Sequence, residues 1–133
     1  MLLALLAAAD SGQRDEIPVG AIVCEPLGWV LAETGNDSAA SHDPLGHAEI
    51  RALRQAAQRR GNYRLPGSSL FVTLEPCVMC QAAIELTRVE RVVFAAHRHE
   101  EETTPSTAYA TASLQMIRRF FAPKRELARP LPL

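Results

Sequence analysis

Two cysteines have the type and spacing that metal chemistry requires. Cys77 and Cys80 stand three residues apart in the run T-L-E-P-C-V-M-C, where the pattern predicts the first turn of a helix. Positions i and i+3 of a helix face the same way, and the helix N-terminus lowers the cost of holding two thiolates. Two thiolates on one face can bind one tetrahedral Zn²⁺, for which they supply two of the ligands.

A C-x-x-C pair alone does not distinguish a metal site from a redox dithiol or from half of a zinc ribbon. A ribbon needs a second pair, and the only other cysteine is Cys24, which stands alone in a predicted core strand. Cys24 is most simply a small buried residue. The redox dithiol stays open at this point, and tightly bound zinc in the purified protein would exclude it.

A second group, H-A-E at residues 47–49, favours the metal interpretation. It also stands at a predicted helix start after a loop, so His47 can give a third ligand through an imidazole nitrogen. Three protein ligands leave one position open for water, which distinguishes a catalytic zinc from a structural one. Glu49 can lie beside that water and move its proton. H-x-E followed by P-C-x-x-C is the signature of zinc-dependent nucleobase deaminases, so we predict one catalytic zinc per chain.

The elements around these groups predict an α/β fold. The chain should form an α/β sandwich of a sheet and helices, in which the later strands run parallel. The pattern gives four strands and leaves a fifth open in the C-terminal third. The predicted order is a first helix, a hairpin of two strands around P-L-G, a helix from residue 47 ended by Gly61, a strand over 69–74, a helix over 77–87 and a strand over 91–96.

The C-terminal third gives a weaker pattern. Residues 97–111 form either a loop or a loop with a short edge strand around 108–112. Residues 114–121 follow a helical pattern, which we expect to end before Pro123. Five basic residues stand against Glu126 alone between residue 114 and the end, so this tail is basic. Such a tail is either a solvated helix face or a weak indication of nucleic-acid binding.

Composition predicts a single domain over residues 1–133. Hydrophobic residues make up 47% of the 133, and a net charge of −1 gives no general attraction to nucleic acid or to anionic membranes. Three cysteines are too few for a secreted disulfide framework, so we expect a cytoplasmic protein. The opening run M-L-L-A-L-L-A-A-A-D lacks the positive charge of a signal peptide and is too short to span a bilayer. We expect it to form a helix that packs through Leu2, Leu5, Leu6 and Ala9.

Several longer runs resemble the cytidine deaminase superfamily, and within it the bacterial tRNA-specific adenosine deaminases. The likeness extends from about residue 2 to residue 94. It is carried by E-I-P-V-G-A-I-V at 16–23, Asn36, H-D-P-L-G-H-A-E-I at 42–50, N-Y-R-L at 62–65, L-F-V-T-L-E-P-C-V-M-C at 70–80 and R-V-x-R-V-V-F at 88–94.

This resemblance implies an activity and a set of roles. It implies a three-layer sandwich, in which a mixed sheet of about five strands is flanked by helices, and a homodimer. The implied reaction is hydrolytic deamination of adenosine to inosine at the wobble position of a tRNA anticodon, with the target base flipped out or already unpaired. The zinc ligands would be His47, Cys77 and Cys80, and the proton shuttle Glu49. Asn36 would contact the base, and Ile17, Ala48 and Pro76 would also belong to the substrate site.

The chain departs from the family after Phe94. The family continues Gly-Ala-Arg-Asp and then Lys-Thr-Gly, whereas this chain reads A-A-H-R-H-E-E-E, a divergent loop over about 95–111. Three carboxylates beside a nucleic-acid backbone would repel it unless they point away. The same chemistry on cytosine or adenine in single-stranded DNA, or on a free base such as guanine, is therefore an alternative. A non-catalytic zinc-binding partner subunit is a second alternative, although such a subunit would have no use for Glu49.

Overall fold

Four strands and four helices make up the part of the chain that the computed structural model describes, residues 1–98 and 107–127. In chain order these elements are α1 (Leu2–Gln13), β1 (Gly20–Cys24), β2 (Val30–Gly35), α2 (Ala48–Arg60), β3 (Ser69–Leu74), α3 (Val78–Thr87), β4 (Arg91–Ala96) and α4 (Ala108–Leu127). The predicted positions of His99, Glu100, Glu101 and Glu102, and of the tail from residue 128, lie outside the described residues.

The strands form one mixed sheet in the order β2-β1-β3-β4. β1 pairs antiparallel with β2 and with β3, while β3 and β4 are parallel. Helices α1 and α4 contact each other on one face of the sheet, and α2 and α3 contact each other on the other face. The predicted three-layer sandwich is confirmed, with four strands in the described residues where about five were expected.

The start of β1 and the ends of β2, β3 and β4 lie at the same edge of this sheet. In the strand pairing Gly20 stands opposite Gly35, and Leu74 stands opposite Ala96. The Gly20 amide donates to Thr73 Oγ1 at 3.1 Å, which places the start of β1 beside the end of β3. The segments before β1 and after β2, β3 and β4 therefore meet at this edge, where the site described below is built.

The face through which α1 packs differs from the prediction. Leu5 is buried as expected, but Leu2 and Leu6 are exposed, and the buried face consists of Ala4, Leu5, Ala7, Ala8 and Ser11. The reason is the close approach of α1 to the hairpin. A Cβ on Gly20 would lie 2.0 Å from the Ala4 carbonyl oxygen, so the two backbones are in contact there, and the buried face of α1 is small except for Leu5.

A buried carboxylate holds the loop that connects β2 to α2. Glu16 accepts hydrogen bonds from the amides of Ser38 at 3.1 Å and Ala40 at 2.8 Å. Burial raises the pKa of the Glu16 carboxyl, but the backbone N–H groups around it outweigh burial and the pKa is lowered. The carboxylate is therefore charged at neutral pH and fixes the loop against the segment before β1.

The C-terminal helix corrects two predictions. The segment 108–112, predicted to be either loop or a short edge strand, is the first part of α4, and the helix continues through Pro123 to Leu127. Thr107 starts it, since its Oγ1 accepts the Ala110 amide at 3.1 Å as an N-cap does. Its buried positions Ala110, Ser113, Leu114 and Ile117 have the spacing of one helix face. In the described residues, no helix is both long and apolar enough to span a membrane.

Candidate zinc-dependent active site

The predicted ligands lie at the starts of two helices, which meet at the sheet edge described above. His47 is the N-cap residue of α2, and Cys77 is the N-cap residue of α3, both with extended backbone angles. Thr34 Oγ1 donates to the Ala48 carbonyl at 2.7 Å, which ties the start of α2 to β2. The Glu75 amide donates to the Ala96 carbonyl at 2.8 Å, which ties the start of α3 to the end of β4.

The three ligand side chains form a compact cluster. His47 Nδ1 lies 3.6 Å from Cys77 Sγ and 3.5 Å from Cys80 Sγ. The ligand atoms all lie within 4.8 Å of one another. Zinc bonds of about 2.0–2.3 Å in a tetrahedron hold their ligand atoms about 3.5–3.8 Å apart. The donor types and these separations therefore fit one Zn²⁺ with three protein ligands and one open position.

Burial makes a bare thiolate at this cluster costly. Cys80 is fully buried, and burial, followed by the nearby Glu49 carboxylate and Cys77, raises the pKa of the Cys80 thiol well above its ordinary value. A cation at the cluster would offset that cost, because a metal ligand binds as the thiolate. Without a cation, Cys80 is therefore held as the neutral thiol.

Glu49 lies beside the ligands in an environment suited to proton transfer. Its side chain is 3% exposed, and burial raises the pKa of its carboxyl despite opposing contributions that include His47, Cys80 and Arg98. A carboxyl whose charged and neutral forms are closer in free energy near neutral pH exchanges a proton more readily. The first turn of α2 thus holds both a ligand and a candidate acid–base group.

Asn36 is fixed with its amide group toward the same site. Its Oδ1 accepts the Ala48 amide at 3.0 Å, so the side-chain oxygen is used and Nδ2 is the remaining donor. Its backbone is held on both sides, because its N–H donates to Val19 and its carbonyl accepts from Ser11. Nδ2 has no hydrogen-bond partner within residues 1–98 and 107–127, which leaves it available to a ligand.

A cavity of about 240 Å³ opens beside the cluster. It is lined by Ile17, Val19, Asn36, His47, Glu49, Leu74, Arg98, Ile117 and Phe121. Its size and largely apolar walls suit a small planar ring with a few polar contacts. Of the predicted substrate residues, Ile17 and Asn36 line this cavity. Ala48 does not line it but is buried and contributes the amide that orients Asn36, and Pro76 is buried and lines a separate cavity.

Five lining residues were not predicted from the sequence as site residues. Val19 and Leu74 belong to runs that resemble the family, whereas Arg98, Ile117 and Phe121 do not. Ile117 and Phe121 are four apart on α4, so both reach the cavity only because that helix crosses the sheet edge. Their i, i+4 spacing was a detectable signal for a shared face. Arg98 follows β4 and lies on the cavity rim. Nothing local in the sequence indicates that these three residues face His47.

Comparison with known proteins identifies the family. Residues 1–96 match the model of the cytidine and deoxycytidylate deaminase zinc-binding region. The chain belongs to this family. The zinc-dependent deaminase predicted from the two motifs is thereby confirmed, and the residues that match include both of those motifs.

Similar proteins and solved structures show which members of the family this chain resembles. It is 36% identical to a tRNA-specific adenosine deaminase of Agrobacterium fabrum over 94% of this chain and 93% of that protein. It is 45% identical to the Haemophilus influenzae protein of the same name over 72% of this chain, but spans only 56% of that protein. A tRNA:A34 deaminase structure, studied for A-to-I editing at the wobble position, matches with a TM-score of 0.77 and 36% identity. That match covers 87% of this chain and 96% of the other.

A guanine deaminase from Bacillus subtilis is also similar in structure. It matches with a TM-score of 0.69 and 27% identity, and covers 97% of this chain and 93% of its own. The solved structures that are similar to this chain therefore include one named as a deaminase of a base in tRNA and one named as a deaminase of a free base. The predicted resemblance to tRNA-specific adenosine deaminases is confirmed by the relatives at 36% and 45% identity.

Proposed function

We propose that this deaminase converts adenosine to inosine in RNA, at the wobble position of a tRNA anticodon. The observation that carries the proposal is the cavity in which Asn36 and the buried Glu49 face a cluster of one histidine and two cysteines. Similarity to tRNA-specific adenosine deaminases over nearly the whole chain supports the choice of substrate. The ligands are His47, Cys77 and Cys80.

Each residue has a defined part in the hydrolysis. Zinc bound by His47, Cys77 and Cys80 would make a water acidic enough to act as a nucleophile at neutral pH. Glu49 accepts the proton of that water and gives a proton to the ring nitrogen beside the carbon under attack. Glu49 then takes the second proton from the hydroxyl group added to that carbon and gives it to the amino group, which leaves as ammonia while the carbon becomes a carbonyl. Asn36 holds the base through Nδ2, and Ile17 packs against the flat ring. The net reaction consumes one water and releases one ammonia.

We also propose a homodimer in the cytoplasm, with residues 1–133 as one deaminase domain. Exposed apolar side chains beside and on α3 support self-association, since Tyr63 is 70% exposed, Val78 83% and Leu86 74%. Both helix layers pack on one sheet, which supports a single domain. If the purified protein sediments as a monomer at micromolar concentration, the proposed homodimer is contradicted.

Replacing Asn36 with aspartate is expected to weaken substrate binding more than it affects folding. Aspartate keeps the acceptor for the Ala48 amide but loses the donor that faces the cavity. Leaving the polar edge of the base without that donor should raise KM about ten- to hundredfold. Steady-state kinetics on an anticodon stem-loop, with zinc content measured in parallel, checks this.

Asn36→Ala provides the comparison for that prediction. It removes the acceptor as well, so the thermal midpoint should fall further than in Asn36→Asp. Unchanged KM in both variants would show that Asn36 only orients α2 and does not contact the base.

A panel of substrates distinguishes the proposed reaction from its rivals. The zinc-loaded protein is incubated with an anticodon stem-loop containing adenosine at the wobble position, with single-stranded DNA, and with free guanine. We expect kcat/KM on the stem-loop to exceed the others by at least about a hundredfold, because more of the substrate can be bound. Turnover of guanine alone would favour the reaction named for the Bacillus relative.

A further inference from the structure

Arg98 occupies a defined place at the mouth of the active-site cavity. It follows β4 and lines the cavity together with His47 and Glu49. Among the described lining residues it is the one arginine or lysine. Its side chain is exposed, which places its charge at the rim rather than on the cavity floor. A cation here faces whatever part of the substrate remains outside the cavity.

Glu75 accepts hydrogen bonds from two nitrogens of Arg98. The backbone amide of Arg98 donates to Glu75 Oε2 at 3.2 Å, and its Nε donates to the Glu75 carbonyl at 3.0 Å. Because Nε is bound, the plane of the guanidinium is fixed relative to the start of α3. Glu75 stands two residues before the ligand Cys77, so the same turn positions both the metal cluster and the guanidinium.

The two terminal nitrogens of Arg98 are left for a ligand. Neither Nη1 nor Nη2 has a hydrogen-bond or ion-pair partner in the part of the chain that the structure describes. A guanidinium with a fixed plane and free terminal N–H groups forms paired hydrogen bonds to a phosphate, whose geometry it matches. The rest of the lining, apart from Asn36, His47 and Glu49, is apolar and offers no other partner for an anion.

The position of the reacting base decides which phosphate Arg98 can reach. For its ring to reach Glu49 and the ligand cluster, the base must enter the cavity edge-first. Its sugar and the phosphates on either side then remain at the mouth, where Arg98 lies. We propose that Arg98 binds a phosphate next to the target nucleotide and thereby selects a base within a strand over a free base. This rests on the proposed function, and Glu75 acts as the positioning residue for Arg98.

Binding measurements with an inactive protein test the proposal without turnover. In the Glu49→Gln background, Arg98→Gln is compared with Arg54→Gln, which removes an exposed arginine of α2. Fluorescence anisotropy with the labelled anticodon stem-loop, across a salt series, gives Kd. We expect Arg98→Gln to weaken binding about ten- to hundredfold and to lower the salt slope by about 0.7, the value for one phosphate contact to a single strand. Arg54→Gln should leave both unchanged.

Uncharged phosphates then locate the contact. A methylphosphonate is placed on the 5′ or the 3′ side of the target adenosine, one at a time. At one of these positions it should weaken binding to the protein with Arg98 by the same factor as Arg98→Gln, and have no further effect on the Arg98→Gln variant. Equal losses in both proteins at both positions would overturn the proposal, as would an Arg98→Gln variant that binds like Arg54→Gln.

Kinetics of the active protein distinguish a failure of the phosphate contact from a failure of the proposed function. Inosine formation with an Arg98→Gln variant that shows normal KM would contradict the phosphate contact and leave the proposed function standing. No binding of the stem-loop by any variant would contradict both. Glu75→Gln should reproduce part of the Arg98→Gln effect on KM with zinc content unchanged, because it weakens the contacts of Oε2 with the Arg98 amide and with His97 but keeps the backbone carbonyl that accepts from Arg98 Nε.

Discussion

Replacing Glu49 with glutamine is expected to lower kcat by at least about a thousandfold, within the range for removal of a general acid–base group. Glutamine has the same shape but cannot carry a proton from the water to the ring nitrogen and then to ammonia. The variant should keep its zinc, because Glu49 is not one of the clustered ligands. Single-turnover assays on the anticodon stem-loop, with metal content measured on the same sample, give both readouts.

The stability of this variant distinguishes a catalytic role from a structural one. Glu49 is buried and burial raises the pKa of its carboxyl, so its charged form is held at a cost in the folded state. A neutral glutamine removes that cost, and the thermal midpoint should not fall. Glu33→Gln, at an exposed acid on β2, is the matched control and should keep full activity. Activity within fivefold of the parent in Glu49→Gln would contradict the role assigned to Glu49.

Removing one metal ligand is the second large effect that we expect. Cys80→Ala leaves two ligands, so bound zinc should fall from one per chain to less than about a tenth, and deamination should be lost with it. Cys80 suits this test because it is fully buried and lies 3.5 Å from His47 Nδ1. Atomic absorption on protein purified without added metal measures the zinc.

Cys24→Ala is the matched control for the ligand substitution. Cys24 lies at the end of β1 and is not part of the cluster, so this variant should keep one zinc and its activity. Chelation should lower the thermal midpoint of the parent and of Cys24→Ala, since a ligand at a hundredfold its Kd adds about 2.7 kcal/mol to the free energy of unfolding. It should not change Cys80→Ala. A full zinc complement in Cys80→Ala would contradict the ligand set.

The ligand cluster was predictable because its geometry is local. A helix start fixes Cys77 and Cys80 on one face, and a second helix start fixes His47 and Glu49. Sequence alone could not show that the two starts meet, but the known combination of the motifs supplied that step. The structure places His47 Nδ1 3.5–3.6 Å from the two sulfur atoms.

The incorrect predictions share a different origin. For α1, the large apolar residues were expected on the buried face, yet the close backbone approach at Gly20 leaves mostly alanine and serine there, with Leu5 the one large residue. For α4, the run after residue 107 has many alanines and threonines and no strong local preference, so the cap at Thr107 and the packing of Leu114 decide the outcome. Both depend on contacts between elements that are distant in sequence.

The residues that line the cavity were predictable only in part. Asn36 and Ile17 come from segments that resemble the family, and they line the cavity. Arg98 and Phe121 come from the part of the chain that departs from the family, and only the sheet edge brings them together. Their positions depend on where β4 ends and where α4 crosses it, which local patterns do not encode.

The most direct test of the proposed function is nucleoside mass spectrometry of tRNA that carries unmodified adenosine at the wobble position. The tRNA is incubated with the zinc-loaded protein and, in parallel, with Glu49→Gln. We expect one inosine per tRNA with the parent protein and none with the variant. A parent protein that binds one zinc per chain and forms no inosine under these conditions would contradict the assignment of tRNA adenosine as the substrate.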